Sequence, residues 1–345
     1  MGAPTVYSWD DPGAPAWISN ANGMGMYEVL HRCLVTGYGN KPAAGWSVVF
    51  DEFATNGNYS VTNGPKTGVF GLYHSRESGV KGYEPIMYVA EAMLAADEAI
   101  NGRSFLTAIS QTGFSYSYNI TAHGIGYKAT GGSYSPRWVV IANDRWCWII
   151  MPQAVLGHNA FNANPPLHNA DAWAGCPVVG FGAINSPLAA MGAGDNVEFG
   201  NFHLIGGSSG VGLVYPSQVM SGAMPWSGLR DDTGQLPARH YCLILPFSLG
   251  VRCPEVQYES QLIQAVLYSY GSSSSTAAQN GRQLGRLPGL YSWRDLHDIQ
   301  SNSGWAVNHP GGLTWRDEII LDERRFIYGP GGFKPLFMSL EAADW

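Results

Sequence analysis

The chain has 345 residues and a formal net charge of −7, with 45% apolar and only 13% charged residues. That length favours two domains, and the apolar share is enough to build their cores. The acidic balance and the absence of any basic stripe argue against nucleic acid as a partner.

Low charge together with 44 glycines and abundant Trp and Tyr fits a β-rich, loop-rich protein whose surface is largely covered by partners. No apolar run reaches the roughly 20 residues of a membrane-crossing helix, so no membrane association is expected. The first residues lack a basic segment followed by an apolar one, which argues against a signal peptide. Met1-Gly2 opens as a myristoylation site does, but Val6 stands where Ser or Thr is needed. Synthesis in a cytoplasm, without export by the general secretory route, is the expectation. Five cysteines at wide spacing do not make a disulfide framework. Cys33 and Cys147 lie in apolar patterns and read as buried thiols, whereas Cys242 and Cys253 are free to meet or not.

Residues 1–23 form an extended arm, punctuated by Pro12, Gly13 and Pro15. Trp9 and Trp17 are its anchors and the candidate interface residues. Met26, Val29, Leu30, Cys33 and Leu34 share one face of a helix over 24–37, stopped by Gly37. Strands follow over 46–55 and 58–62, with Asn56-Gly57 as the turn between them, and then over 69–74. Residues 84–100 suit helix by local propensity but sit in β-rich surroundings; a helix is expected over 89–100. Residues 114–120 alternate and suggest a strand.

The stretch PRWVVIANDRWCWIIM, residues 136–151, is the centre of the chain. It reads as a hairpin over 137–151, with strands at 138–142 and 145–151. Asn143-Asp144 would form the turn, because both tolerate the positive φ of a tight primed turn. That turn sets Ile141 against Trp146, Val140 against Cys147 and Val139 against Trp148. Both strands are apolar at nearly every position, so both faces should be covered.

Residues 152–195 read as loop with short strands, and 196–205 as a strand. GGSSGVG at 206–212 is a flexible break and the expected domain boundary, dividing 1–206 from 207–345. Beyond it, 241–247 is an apolar strand, 261–270 strand or short helix, and 272–275 a polar linker. Residues 316–329, RDEIILDERRFIYG, alternate as a terminal hairpin does. The fold class is mainly β with a few short helices (α+β), in antiparallel, sandwich-like sheets.

Chemical motifs are missing. There is no P-loop, HExxH or GxSxG, and the glycines near 210 lack the strand and helix a dinucleotide site needs. His158 and His168, with Asp171 and Cys176 nearby, match no tetrahedral zinc spacing. His240 reads as an edge residue of the strand it precedes. The adjacent acids Asp10-Asp11, Asp51-Glu52, Asp231-Asp232 and Asp317-Glu318 cannot form an acid/base pair on a strand, where neighbours face opposite ways. No catalytic residue, cofactor or metal is expected.

Several stretches together resemble a family of tailed-bacteriophage virion structural proteins. They are VYSWDDPGAP at 6–15, VLHRCLVTGYGNKPAAGW at 29–46, KGYEPI at 81–86, PRWVVIANDRWCWII at 136–150, VEFGNFHLIG at 197–206 and GRLPGLY at 285–291. Their order and spacing are similar over about the first 206 residues, and residues 84–100 and the region after 206 depart. The resemblance implies a non-enzymatic particle component, tail or baseplate rather than head, located in the virion and assembled in the host cytoplasm. Its partners would be itself, in a ring or other symmetric oligomer, and other virion proteins. The arm would then act as an inter-subunit clamp. The alternative is a carbohydrate-binding or carbohydrate-cleaving module on the particle surface, which needs an exposed aromatic cleft with paired carboxylates. An unrelated soluble enzyme is a third reading, disfavoured by the missing motifs.

Overall fold

The computed structural model describes residues 2–16, 24–64, 68–73, 86–90, 92–96, 98–100, 103–104, 138–150, 178–183, 199–204, 262–269, 282–293, 316–321, 323–329 and 336–345. In chain order these give β1 (Thr5–Ser8), α1 (Met24–His31) continued by a π-helical turn at Arg32–Thr36, β2 (Ser47–Glu52), α2 (Phe53–Asn56), β3 (Asn58–Thr62) and β4 (Val69–Tyr73). Then come β5 (Ile86–Ala90), β6 (Ala92–Ala95), β7 (Glu98–Ile100), β8 (Arg103–Ser104), β9 (Val139–Ala142), β10 (Trp146–Ile150), β11 (Val178–Ala183) and β12 (Phe199–Leu204). The last part holds β13 (Leu262–Ser269), β14 (Arg282–Trp293), β15 (Glu318–Leu321), β16 (Arg324–Gly329), β17 (Leu336–Ser339) and a 3-10 turn at Ala342–Asp344.

The protein is mainly β, and every ladder is antiparallel. One five-stranded sheet runs β1-β9-β10-β11-β12, a second β2-β3-β4-β5-β8 and a third β13-β14-β17-β16-β15, with a separate β6-β7 pair. Among the described residues no ladder joins residues before 206 to residues after it. The expected strands at 114–120 and 241–247, the break at 206–212, the linker at 272–275, Cys242 and Cys253 lie outside the described residues.

The first two sheets share one core with α1. Alternation along the central sheet turns Tyr7, Val140, Ala142, Cys147, Ile149 and Phe181 to the same side, where they meet Leu30, Cys33, Leu34, Val61 and Phe70. Phe70 and Phe181 stack at 3.6 Å between ring centroids, and Trp46 meets Phe181 edge-on at 5.3 Å. Such ring pairs add about 0.5–1.5 kcal/mol each beyond the area they bury. The opposite face of the central sheet carries Val139, Ile141, Trp146, Trp148 and Ile150, which are buried as well. The expectation that both faces are covered therefore holds. Trp148 Nε1 donates to the Pro288 carbonyl of β14 at 2.7 Å, which ties this face to the third sheet.

Gly180 and Gly182 explain how two adjacent tryptophans fit on that face. Gly180 lies opposite Trp148 and Gly182 opposite Trp146. A Cβ on Gly180 would sit 2.3 Å from Trp148 Cζ3 and 2.8 Å from Trp146 Cζ2, so only a hydrogen leaves room for the rings.

Three local expectations are corrected. Residues 86–100 form β5, β6 and β7 instead of a helix over 89–100. β5 completes a full ladder with β4, and β6 pairs with β7, so strand pairing prevails over the local propensity of Ala, Met and Leu in both segments. The strand expected through 55 stops at Glu52, because Phe53 turns into a short helix and buries its ring. Gly57, left-handed at φ 82°, caps that turn with its N–H on the Phe53 carbonyl, so Asn56-Gly57 is a helix end and not a two-residue hairpin.

The third correction concerns the central hairpin. Ladder partners are Cys147 with Ala142, Trp148 with Ile141 and Ile149 with Val140, two residues on from the expected register. A shift of two keeps every side chain on its expected face. None of the turn residues has positive φ, so the turn is not primed. Asp144-Arg145 occupies its centre, and Asn143 closes it through its side chain.

Candidate functional site

The arm, the end of α1 and the hairpin turn lock together through backbone and side-chain hydrogen bonds. This junction starts with the helix end. Met26, Val29, Leu30, Cys33 and Leu34 are all buried, which is the expected face. The last turn then widens, and the Gly37 N–H reaches back five residues to the Arg32 carbonyl at 2.7 Å. The returning chain takes up the exposed carbonyls: Ala44 N donates to Cys33 O, and Gly45 and Trp46 N both donate to Leu34 O. Between these points Tyr38 and Lys41 exchange two backbone hydrogen bonds across a tight turn. Gly39 sits at φ 52°, and a Cβ there would come within 2.2 Å of the Pro12 carbonyl oxygen.

The arm is fixed from three sides. β1 adds to the edge of the central sheet, with Tyr7 opposite Val140. Tyr7 Oη donates to the Pro42 carbonyl at 2.7 Å, and Lys41 Nζ donates to the Val6 carbonyl at 2.8 Å. Tyr38 Oη donates to Asp11 Oδ2 at 2.9 Å, while the Ser8 N–H donates to the same carboxylate oxygen at 2.8 Å. Trp9 holds the hairpin through its backbone, N–H to the Trp138 carbonyl at 3.1 Å. Its ring is partly buried against the core, so Trp9 does anchor the arm, within its own chain. Trp17 lies outside the described residues.

Asn143 joins the turn to both neighbours. Its Oδ1 accepts from Arg145 N at 2.9 Å and Trp146 N at 3.0 Å. Its main-chain carbonyl accepts from Trp46 Nε1 at 2.8 Å, and its Nδ2 donates to the Gly2 carbonyl at 3.3 Å. A residue only 5% exposed thus satisfies the hairpin, the segment after the helix and the start of the arm together.

Arg316 adds a tie that spans the chain. Its Nη1 donates to Ser8 Oγ and Asp10 Oδ1, both at 2.6 Å, and its guanidinium lies 4.4 Å from the Trp9 ring centroid. Arg316 is held at φ 73°, a conformation rare for a side chain of its size. Partial burial works to raise the Asp10 carboxyl, but hydrogen bonds from Arg316 and Ser8 and the Arg316 charge outweigh it, and its pKa is lowered. A similar knot closes the third sheet. Arg324 Nη2 donates to Tyr291 Oη at 2.7 Å and pairs with Asp344, and Tyr291 Oη donates to Asp344 Oδ1 at 2.7 Å.

The chemistry of these groups is that of a fastening. Burial raises the pKa of Tyr7, Tyr38 and Tyr59, with the Asp11 carboxylate adding to it at Tyr38 and Asp51 at Tyr59, so they stay protonated donors. Burial likewise raises Cys33 and Cys147 well above the ordinary thiol value, which keeps them unreactive. Neighbouring acids take different partners, Asp10 and Asp11 in the turn after β1 and Asp51 and Glu52 at the end of β2. Asp10 faces Arg316 while Asp11 faces Ser8, Tyr38 and Lys41; Asp51 accepts from Tyr27 Oη while Glu52 accepts from Asn56 Nδ2. Among the described residues no three His, Cys, Asp or Glu side chains gather as a metal site. No described helix is long and apolar enough to cross a membrane. His158, His168, Asp171, Cys176, His240 and Asp231-Asp232 lie outside the described residues.

Every aromatic ring whose burial is described is buried or partly buried. The Trp and Tyr rings so described fill cores instead of lining an outer surface. Sequence reading found the helix face and the hairpin but missed Asn143 as a junction and Arg316 altogether. The Asn-Asp pair was the available signal for the first; for the second, a separation of 306 residues from Asp10 left none.

No protein-family model matches the chain, and no curated protein matches it in sequence.

Proposed function

We propose that this chain is a non-enzymatic structural component of a tailed-phage particle, in the tail or baseplate, working through subunit–subunit contacts with copies of itself and other virion proteins. One observation carries this reading. The three most distinctive stretches behind the family resemblance, 6–15, 29–46 and 136–150, meet in space as the arm, helix end and hairpin of a single fastening. Residues used that way supply rigidity to a subunit that must keep its shape while neighbours load it. Their buried Tyr7, Tyr38, Cys33 and Cys147 are held in protonated, unreactive forms, as a mechanical part permits.

The carbohydrate-module alternative needs an exposed aromatic cleft, and the described aromatic residues lend it no support. The inter-subunit role for the arm is narrowed by its own bonding. Thr5–Ser8 are committed to the central sheet, so removing the arm would expose β9 as well as alter any contact with a neighbour. The test is therefore made on the intact chain. Light scattering on the purified protein is expected to give a closed oligomer of fixed size. A monomer at all concentrations, with binding or cleavage of host polysaccharide, would replace this reading with the carbohydrate one.

A further inference from the structure

We infer that β15 is a docking edge for an extended segment of a different chain, one with an apolar centre and basic flanks. Open sheet edges invite such pairing, and proteins normally blunt them. The edge strands with described side chains differ in this respect. At β1, Lys41 takes the Val6 carbonyl, and Asp11 and Tyr38 take the Ser8 N–H. At β2, the ladder to β3 is broken by a bulge between Val48 and Phe50. β15 has neither device. Its ladder to β16 is regular from Glu318 to Leu321, and among the described residues it ends the sheet. Alternate residues of β15 thus turn their amides and carbonyls away from β16.

The side chains point to the occupant. Ile319 and Leu321 pack on Tyr291, Phe326 and Phe337, which fixes the strand. Ile320, on the other face, is 72% exposed, more than Leu94 at 58% or Val48 at 37%, the other exposed large apolar residues described. An added strand would place an apolar residue beside it. The cations of this hairpin are already engaged: Arg316 with Asp10, Arg324 with Asp344 and Arg325 with Glu341. Arg325 stands directly opposite Ile320, but it is paired with Glu341; exposed Glu318 and Glu323 have no ion pair among the described residues, so the charge left unpaired along this edge is acidic. A second copy of β15, laid antiparallel, would bring Glu318 of each toward the Glu323 end of the other. Like charges across a ladder oppose pairing, so the flanks disfavour self-association and select a basic segment. β-Strand addition of this kind takes affinity from the backbone and specificity from the flanks. The edge would act the same way whether or not the chain serves a particle.

The test uses the full chain and two labelled peptides, acetyl-Lys-Thr-Val-Ile-Val-Thr-Lys-amide and the same peptide with both Lys replaced by Glu. Fluorescence anisotropy at low salt should show saturable binding of the basic peptide, with slowed amide exchange at 318–321. The acidic peptide should bind about tenfold more weakly or not at all. Ile320→Lys should weaken the basic peptide at least about tenfold while leaving the melting temperature unchanged. Glu318→Lys combined with Glu323→Lys should reverse the preference between peptides. Equal binding of both peptides, protection elsewhere than 318–321, absence of saturable binding, or a self-association that Ile320→Lys abolishes would each overturn the inference.

Discussion

Removing the Asn143 side chain should be among the costliest polar truncations in the protein. Asn143→Ala deletes the acceptor of two main-chain amides and the donor to Gly2. The Trp146 amide is buried, and without Oδ1 it loses its partner at a cost of about 1–3 kcal/mol. The Arg145 amide is only partly buried and can turn to water, so about 0.5–1 kcal/mol is its share. The 3.3 Å contact to Gly2 is long and adds little. The sum is about 1.5–4 kcal/mol. The bond from Trp46 survives, because it ends on the main-chain carbonyl of residue 143. Asn143→Asp keeps the acceptor and should cost less than about 1 kcal/mol. Asp144→Ala, one residue on but exposed, should stay within about 0.5 kcal/mol of the parent. Urea unfolding followed by tryptophan fluorescence gives all three values, with an unchanged denaturant slope expected. If Asn143→Ala falls no further than Asp144→Ala, the side chain is not the junction described above.

Other expectations follow from the same contacts. Gly180→Ala drives a methyl into Trp148 and should cost about 1–3 kcal/mol with a shifted near-ultraviolet dichroism spectrum; an unchanged spectrum and melting point would refute the packing. Asp344 titrates lower in the folded protein than in the unfolded chain: burial raises it, but bonds from Arg324, Ser339 and Tyr291 prevail. Its contribution is therefore present above the unfolded value near pH 4 and lost as pH falls through the folded one, so Asp344→Asn should flatten the acid limb of the stability profile. The Tyr291 hydroxyl beside it, pushed up to about 12 first by burial and then by its bond to Asp344, should show no phenolate absorbance at pH 10. Arg316→Ala and Asp10→Ala should give a double-mutant cycle in which the second substitution costs less than it does alone, whereas strict additivity would mean the tie does not form.

How far the sequence discloses this arrangement depends on whether the deciding interaction is periodic or singular. The helix face of Met26 to Leu34 and the two covered faces of the hairpin are periodic, so they are legible. The register is not, because it turns on one side chain. Asn143 was expected to supply a positive φ, but it supplies an acceptor instead, and the turn moves on by a residue. The π-helical end is equally hidden, since the carbonyls of Cys33 and Leu34 are satisfied by residues 44–46 after a reversal of the chain. Residues 86–100 mislead because Ala, Met and Leu state a helical preference that the ladders of β5 with β4 and of β6 with β7 overrule. Arg316 owes its role to neighbours near residue 10, and nothing local in RDEIIL announces it.

In the proposed function the chain is a built-in part of a particle. Quantitative mass spectrometry of purified, salt-washed phage particles from a host producing this chain addresses it directly. The account predicts a fixed copy number per particle, the same across preparations and retained through the wash. Absence from particles, or an amount that varies and washes away, would contradict it.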